Sequence, residues 1–237
     1  MAEYKRFFVD KIEDIVTISN EEFVHAVSVL RVREQEKIIL LDNTGYEYLS
    51  EIIKIDKKSL TAKVIGKELN ESEPKQNLIL ICGFLKGDKT ELIVQKAVEL
   101  GVKEIVVFSS KFSSAYINDN KLERLNRVSM EAAKQCGRGV YPKVIYKDTL
   151  NSALEYGKMC ENKFFACEFA SKGERIEKLS GSTAVVVGSE GGFSKEEFEL
   201  SLSLGYKTLY LGKRILRAET AGIVLTGILM HALGELD

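Results

Sequence analysis

Short apolar runs in which hydrophobic and polar positions often alternate occupy much of the first 66 residues. Turn-forming clusters at residues 42–45 and 56–58 separate three of these runs. The predicted strands are residues 6–9, 37–41, 47–55 and 60–66. Short strands joined by tight turns predict a small antiparallel β-barrel.

One helical pattern interrupts these strands. It begins at Ser19 or Asn20 and places Phe23, Val27 and Leu30 on one face. The spacing therefore predicts a single helix with one apolar side.

A change of composition marks the boundary between two domains. Residues 68–76 are polar and charged and contain one of the two prolines of the chain, which is typical of a linker. We therefore expect one domain over residues 1–73 and a second over residues 74–237.

Beyond this linker, continuous apolar runs alternate with helical patterns. The predicted strands are residues 77–82, 103–108, 143–146, 164–167, 183–187 and 207–211. The predicted helices are residues 89–100, 122–136, 149–156, 195–204 and 218–233. Buried strands joined by helices are typical of a parallel sheet with helices on both faces. The second domain is therefore predicted to be α/β.

Charge is balanced over the whole chain but uneven along it. The 237 residues include 34 Lys and Arg and 35 Asp and Glu, so the formal net charge is -1. This balance excludes a generic polycationic nucleic-acid coat, although a local basic patch is still compatible with it. Residues 1–73 hold 11 basic and 15 acidic side chains, whereas residues 74–237 hold 23 and 20.

Basic side chains concentrate in residues 111–147, where eight Lys and Arg face three Asp and Glu. Helical spacing allows several of Arg124, Arg127, Lys134 and Arg138 to share a face. An ordinary solvated helix face would explain the same run. Taken alone, the segment only suggests binding to an acidic partner.

The sequence offers little support for a metal site or a membrane span. Its four cysteines (Cys82, Cys136, Cys160 and Cys167) show no CxxC spacing, and it has two histidines, so we expect no metal. No apolar run reaches the roughly 20 residues that span a bilayer, and no secretion signal opens the chain. We expect a cytoplasmic protein with reduced thiols.

A glycine-rich segment, GSEGGF at residues 188–193, directly follows the predicted strand 183–187. Glycines at the carboxyl end of a buried strand allow positive φ angles and a close approach of the backbone to a ligand. Ser194 and Glu197 have the spacing of a capping box at the start of the next helix. The segment is neither GxGxxG nor a P-loop, and a tight strand-to-helix turn would also explain its glycines.

A second segment, LGKRILRAETA at residues 211–221, also leads from a strand into a helix. Both segments should therefore open at the same edge of the sheet. Ile215 and Leu216 are poor solvent-facing choices within a basic loop, which indicates an apolar ligand pocket. Glu219 suits the positive end of the final helix, and helix capping alone would explain it.

Together these segments resemble the ribosomal RNA small subunit methyltransferase E family, a branch of the SPOUT superfamily that methylates N3 of a uridine in 16S rRNA. The resemblance runs through most of the chain, and the segments 188–193 and 211–221 are its most specific part. The other matching segments are residues 6–9, 25–31, 96–102 and 131–138. Family members usually have proline where Ser189 stands, and often glycine where Gln35 and Asn43 stand. The change at Ser189 bears on the rigidity of the glycine-rich segment.

The resemblance implies an N-terminal PUA-like β-barrel and a C-terminal SPOUT α/β domain with a trefoil knot. Periodicity alone predicts an ordinary doubly wound sheet, because general topology rules argue against knots. The resemblance also implies that S-adenosylmethionine binds among the knot loops, mainly through backbone groups and apolar contacts. The implied cofactor-binding residues are Cys167, Glu168, Gly188, Glu190, Gly191, Gly192, Leu211, Ile215, Leu216 and Ala218.

The reaction itself suggests which side chains act in catalysis. Uridine N3 is a poor nucleophile until it loses its proton, so a cation beside O2 or O4 would stabilise the developing negative charge. Arg217 is our first candidate, and Arg138, from this subunit or its partner, is the second. Glu219 either accepts the proton or orients Arg217, and we favour the second role. His25 has suitable chemistry for a general base, but it belongs to the other domain and is expected to be structural or to contact RNA.

RNA is the expected partner, and the target base must be extruded to reach the pocket. The predicted RNA-binding residues are Arg6, Arg31 and Arg33 in the first domain and Arg124, Arg127 and Lys134 in the second. The resemblance also implies a homodimer. The alternatives are a SPOUT methyltransferase for tRNA or another rRNA base, a non-catalytic RNA-binding factor and, with weaker support, a dinucleotide oxidoreductase.

Overall fold

The chain divides into two compact units. The computed structural model describes residues 4–110, 117–167 and 176–236. The first unit comprises residues 1–73 and 133–141, and the second comprises residues 74–132 and 142–237. The sequence assigns residues 133–141 to the second domain, whereas the structure groups them with the first unit.

A five-stranded sheet in the order β1-β3-β4-β5-β2 forms the first unit. Its strands are β1 (Lys5–Phe8), β2 (Ile15–Ser19), β3 (Lys37–Leu41), β4 (Tyr46–Ile55) and β5 (Ser59–Leu69). Three neighbouring pairs are antiparallel, as predicted. The pair β1–β3 is parallel, because β2 and a helix intervene between these strands and bring the chain back in the same direction.

Two predictions for this unit are wrong. The predicted strands do not include β2, a strand of only five residues with alternating burial. The predicted linker begins too early, since Glu68 and Leu69 end β5 and Asn70 is buried. The Asn70 side chain donates a hydrogen bond from Nδ2 to the carbonyl oxygen of Gly137 at 2.8 Å, so this position is part of the folded unit.

The predicted helix of the first unit is present in two parts. Helix α1 (Asn20–Val24) continues into a π-helical turn over His25–Val29. Its predicted apolar residues Phe23, Val27 and Leu30 pack against the core of the sheet. The helical spacing in the sequence therefore identified the buried side correctly.

The second unit contains a six-stranded sheet in the order β11-β9-β10-β6-β7-β8, and all neighbouring pairs are parallel. Its strands are β6 (Leu78–Gly83), β7 (Glu104–Phe108), β8 (Val144–Lys147), β9 (Asn162–Ala166), β10 (Thr183–Val187) and β11 (Lys207–Leu209). Every residue of the central strands β6 and β10 is buried. The predicted parallel sheet is confirmed.

The described residues after β6 include five helices, α2 (Lys89–Glu99), α3 (Asp119–Cys136), α4 (Leu150–Gly157), α5 (Lys195–Ser203) and α6 (Ala218–Ala232), and the last residues of α3 belong to the first unit. Helix α2 packs against α6, and α4 packs against α5. Both α4 and α6 contact β6 and β10. Residues of α4 share one buried cluster with Ile79, Ile81 and Ala184, and no residue of α6 belongs to it, so the two helix pairs cover opposite faces of the sheet. Across the part of the chain that the structure describes, no helix is long and apolar enough to cross a membrane.

Candidate active site

The predicted ligand loops open at one edge of the sheet in the second unit. Strands β11, β9, β10, β6 and β7 are consecutive neighbours and run in parallel, so the segments that follow them emerge at the same edge. Both segments singled out in the sequence follow strands of this group. The expectation that they share an edge is confirmed.

The glycine loop, residues 188–192, forms a tight turn directly after β10. The backbone N–H of Gly192 donates to the carbonyl oxygen of Ser189 at 3.0 Å, and Gly192 has a φ of +67° that favours glycine. A Cβ on Gly188 would lie 3.0 Å from the ring of Phe193. That ring is buried against Phe165, at 4.2 Å between centroids. The turn therefore leaves no room for a side chain at its first position.

Helix α5 begins immediately after this loop with the predicted capping box. The Ser194 side chain accepts a hydrogen bond from the backbone N–H of Glu197 at 3.2 Å. The Glu197 carboxylate in turn accepts one from the backbone N–H of Ser194 at 2.8 Å. The two bonds hold the end of the glycine loop at the start of the helix.

Glu190 connects the glycine loop to the segment that follows β6. Its carboxylate accepts a hydrogen bond from the backbone N–H of Lys86 at 3.0 Å and pairs with Lys89 Nζ at 3.4 Å. Burial raises the pKa of this carboxyl, but hydrogen bonds from the Lys86 and Glu190 backbone N–H groups and from Lys89 outweigh burial, so the pKa lies below its ordinary value. The side chain predicted to contact the cofactor thus braces the loop within the protein.

Three further residues at this edge were not among the site residues predicted from the sequence. Gly83 ends β6 in direct backbone contact with Ser189, and a Cβ there would lie 2.5 Å from the Ser189 nitrogen. Ser109 and Ser110 follow β7, and Ser110 Oγ lies 2.8 Å from Ser189 Oγ. Their position directly after predicted strands was the one available signal, because such strand ends commonly line sites in parallel sheets.

The second predicted segment, residues 211–217, joins β11 to α6. Gly212 has a φ of +88°, and a Cβ there would meet nothing within 4 Å. Ile215 is 92% exposed, whereas Leu211, Leu216 and Ala218 are half-buried. A fully exposed isoleucine next to half-buried apolar neighbours is the arrangement expected of an open pocket wall.

Arg217 and Glu219 lie where α6 begins. Arg217 is the N-cap residue and is exposed. Glu219 lies in the first turn, and its Oε2 is buried without a hydrogen-bond partner among the residues that the structure describes. This oxygen makes no hydrogen bond to Arg217, so it is available as an acceptor, and both roles considered for Glu219 stay predictions.

Packing of α6 against α2 places these two residues at the loop edge. Gly222 lies against Ile93 of α2, and Met230 lies against Gly101 just beyond the end of α2. The two helices therefore run in the same direction, with their N-termini at the same end. Since α2 follows the carboxyl end of β6, the start of α6 lies at the edge that carries the glycine loop.

The remaining cofactor-binding predictions concern the end of β9. Cys167 directly follows that strand, is half-buried and is not part of a disulfide bond. Glu168 lies outside the described residues. A cavity of about 130 Å³ lies at the other edge of the sheet, where β9 and β11 begin, and is lined by Asn162, Lys163 and Lys207 among others. This cavity is remote from the loops and plays no part in the site described here.

Two of the basic side chains predicted to act in catalysis or RNA binding form ion pairs inside the first unit. Arg138 is 3% exposed, and its Nη2 lies 3.0 Å from a carboxylate oxygen of Glu73. Lys134 is also buried and pairs with Glu22 at 2.5 Å. The predicted shared face of basic side chains is therefore wrong for these two positions, because tertiary packing buries them. Arg138 as a catalytic residue and Lys134 as an RNA contact stay predictions, and each would require its pair to open.

The other predicted RNA-binding residues differ in their exposure to solvent and in whether they form ion pairs. Arg6 pairs with Glu47 at 2.5 Å, while Arg31 and Arg33 are exposed in the same unit. In the second unit, Arg124 is exposed and pairs with Glu91 at 2.7 Å, and Arg127 is exposed. Exposed ion pairs are weak and open readily. Lys111 of the basic segment lies outside the described residues.

Within residues 4–110, 117–167 and 176–236, no three His, Cys, Asp or Glu side chains come together as a possible metal cluster. The loop edge instead presents backbone groups, small residues and apolar side chains beside two exposed arginines, Arg214 and Arg217. Such a lining suits an organic ligand with polar and apolar parts and a reaction that needs positive charge.

Known proteins share both halves of this arrangement. Residues 71–230 match the family described as RNA methyltransferase domain, and residues 18–65 match RNA methyltransferase PUA domain. The ribosomal RNA small subunit methyltransferase E of Mesomycoplasma hyopneumoniae is 32% identical, covering 93% of this chain and 96% of that protein. The Bacillus subtilis protein of the same name is 30% identical, covering 92% of both.

Solved structures give the same result. A methyltransferase from Legionella pneumophila, in complex with S-adenosylmethionine, has a TM-score of 0.88 at 26% identity and covers 97% of this chain and 98% of its own. The ribosomal RNA small subunit methyltransferase E of Neisseria gonorrhoeae, bound to S-adenosylmethionine, has a TM-score of 0.85 at 27% identity with the same coverage.

Proposed function

Because this chain belongs to the ribosomal RNA small subunit methyltransferase E family, we propose that it methylates N3 of a specific uridine in 16S rRNA. It is an S-adenosylmethionine-dependent rRNA methyltransferase with a PUA-like first unit and an α/β second unit. One observation carries the assignment of the site. The glycine loop, the segment 211–217 and Cys167 follow three neighbouring parallel strands and open at one edge.

The residues at this edge fit the cofactor. Gly188 leaves no room for a Cβ beside Phe193, so the backbone itself forms the wall of the turn. Gly191 and Gly192 present backbone atoms without side chains, and Ile215 offers an exposed apolar surface for an adenine ring. The described residues that would hold S-adenosylmethionine are Gly188, Gly191, Gly192, Leu211, Ile215, Leu216, Ala218 and Cys167. Glu190 would act by bracing the loop.

Bound S-adenosylmethionine supplies an electrophilic methyl group. Arg217 would place its guanidinium beside O2 or O4 of the uracil and stabilise the charge that develops as N3 loses its proton. Glu219 would accept that proton, since its unpartnered Oε2 is a buried acceptor and no pairing to Arg217 occupies it among the described residues. Holding N3 in line with the methyl group would account for a large share of the rate.

The knot is part of the proposal. After β11 at the edge of the sheet, the chain returns to the centre, where α6 packs on β6, β10 and α2. A return of this kind past the glycine loop is what a trefoil knot requires. We propose that residues 188–221 form it.

The proposed enzyme is a homodimer that acts in the cytoplasm. Val224 and Ile228 of α6 are each 39% exposed, and Leu92 of the adjacent α2 is 41% exposed. Gly227 lies between them with open space around its α-carbon. An apolar stripe with a small residue on two packed helices is suited to a second copy of the same chain. Light scattering should show a dimer, and Ile228→Glu should reduce it to a monomer.

RNA would be held by exposed cations in both units. Arg31 and Arg33 in the first unit and Arg124 and Arg127 on α3 are accessible to phosphate groups. Arg6 would contribute after leaving Glu47. The PUA-like unit would position the RNA, and the target base would be flipped out of its stack.

Transfer of labelled methyl groups from S-adenosylmethionine tests the proposed function. Small subunits from cells lacking the protein should accept label, and digestion should yield 3-methyluridine. Naked 16S rRNA and tRNA serve as parallel substrates, and label in tRNA or in another base would favour a different SPOUT methyltransferase. Cofactor binding without any RNA methylation would contradict the enzyme itself.

A further inference from the structure

The position at which this chain departs from the usual proline is tied to a second strand. Ser189 is 4% exposed, and its Oγ lies 2.8 Å from Oγ of Ser110. Either hydroxyl can donate this hydrogen bond. Ser110 follows β7 and Ser189 follows β10, and these strands are not neighbours, because β6 lies between them.

The glycine loop must therefore cross the end of β6 to make this contact. Gly83 at that end permits the crossing, since a Cβ there would lie 2.5 Å from Ser189 N and 3.0 Å from Ser189 Cα. On its other side, Ser189 accepts a hydrogen bond at its carbonyl oxygen from Gly192. Ser189 is therefore held by three contacts. Its backbone lies against Gly83, its carbonyl oxygen accepts the hydrogen bond from Gly192, and its hydroxyl bonds to Ser110 after β7.

We propose that the Ser110–Ser189 hydroxyl pair is a latch that holds the glycine loop over β6 in the shape that binds the cofactor. The inference rests on the proposed function, because the neighbouring Gly188, Gly191 and Gly192 are the proposed cofactor contacts. Ser110 and Ser189 are positioning residues that act through the loop backbone. A proline at position 189 would stiffen the loop locally, whereas the hydroxyl pair anchors it to a separate strand.

Because the two hydroxyls share a hydrogen bond, the effects of their alanine variants should not be independent. Ser189→Ala leaves the Ser110 hydroxyl without this partner, and Ser110→Ala leaves a buried hydroxyl at Ser189. The double variant removes the same bond once. Ser110→Thr keeps a hydroxyl at this half-buried position.

Amide hydrogen exchange of the peptide spanning residues 186–198, measured without ligand, reports how well the hydroxyl pair orders the glycine loop. Each alanine variant should raise exchange in this peptide, and calorimetry should show S-adenosylmethionine affinity reduced about three- to tenfold. The double variant should lose less than the sum of the losses in the two single variants, and Ser110→Thr should resemble the wild type. Ser203→Ala is the matched control, because the Ser203 hydroxyl is exposed and bonds within its own helix to Leu200 O at 2.7 Å.

The results separate the latch from the enzyme assignment. Unchanged loop exchange in both alanine variants, or effects that add in the double variant, would overturn the latch even if the wild type binds cofactor. A wild type that binds no S-adenosylmethionine would overturn the proposed function, and the exchange data would still decide whether the hydroxyl pair orders the loop. Turnover at saturating cofactor should change less than affinity does.

Discussion

Gly83 and Ser189 lie in backbone contact: a Cβ on Gly83 would be 2.5 Å from the backbone nitrogen of Ser189. The glycine loop therefore packs directly on the end of β6. A glycine that looked unremarkable in the sequence sets the position of the loop proposed to bind the cofactor.

Gly83→Ala should therefore displace the loop, because the obstructing atoms are backbone and cannot rotate away. We expect a loss of about 1–3 kcal/mol in the free energy of unfolding, as is usual for overpacking, and at least a tenfold loss of cofactor affinity. Urea denaturation and calorimetry measure the two effects. Gly66→Ala is the control, since its Cβ would meet Leu49 Cβ at an ordinary 3.7 Å. Wild-type affinity in Gly83→Ala would contradict the role of this contact.

Arg217→Ala should lower turnover by about 100-fold, because it removes the cation proposed to stabilise the charge on the uracil. Cofactor affinity should stay within about twofold of the wild type. Single-turnover methylation and calorimetry separate the two quantities. Arg214→Ala, which removes another exposed arginine from the same segment, should have little effect on turnover. Full turnover in Arg217→Ala would refute the catalytic assignment.

Glu190→Gln tests whether the charge of Glu190 braces the glycine loop. The pKa of this carboxyl lies below its ordinary value of 4.5 in the folded protein, so its charged form stabilises the fold above that pH. Stability is lost as the pH falls through the folded pKa. Because the pair with Lys89 is partly exposed, we expect the wild type to exceed the variant by at most about 1 kcal/mol at pH 7.

Urea denaturation over a pH series from 7 into acid measures this difference. It should shrink as the pH falls through the folded pKa of Glu190, which lies below its ordinary value. Glu199→Gln is the control, since Glu199 is exposed and its pair with Lys195 is 4.0 Å long. A wild-type advantage that does not change with pH across the series would show that charge is not the cause.

Arg138→Ala should unfold the first unit more readily. Removing one partner of a buried ion pair leaves Glu73 uncompensated, which typically costs about 3–5 kcal/mol. Urea denaturation measures the loss, and Glu73→Gln should also destabilise the unit. A collapse of turnover with unchanged stability would instead support Arg138 as a catalytic residue.

Arg127→Ala should weaken RNA binding without affecting the fold, because its side chain is exposed on α3. Loss of one phosphate contact should reduce the slope of log affinity against log salt concentration by about 1. Fluorescence anisotropy over a salt series gives that slope. Lys158→Ala removes an exposed lysine outside the proposed RNA surface and should leave it unchanged. An unaltered slope in Arg127→Ala would remove this residue from the RNA contacts.

Local signals in the sequence identified much of the architecture. Strand β10 and helix α2 begin where apolar spacing predicts, and the Ser194–Glu197 capping box forms as written. These features depend on neighbours within a few residues of each other. The parallel sheet followed from strands that are apolar throughout, since such strands must be buried on both faces.

Features that depend on distant residues were missed or misjudged. Lys134 and Arg138 looked like an exposed basic face, but Glu22 and Glu73 from far earlier in the chain bury and neutralise them. The Ser110–Ser189 bond joins positions 79 residues apart and depends on the strand order β10-β6-β7.

The sequence by itself determined the presence of two units, most of the helices and strands, and the two loops proposed to bind the cofactor, because each is encoded by local spacing. Only the tertiary structure decided that Gly83 carries the glycine loop, that Glu190 and Ser189 hold it from two sides, and which arginines reach solvent. Such contacts join segments that are far apart in the sequence, and the sequence separation of two segments does not say whether they lie close together in space. They depend on the order of strands in the sheet, which local spacing does not specify.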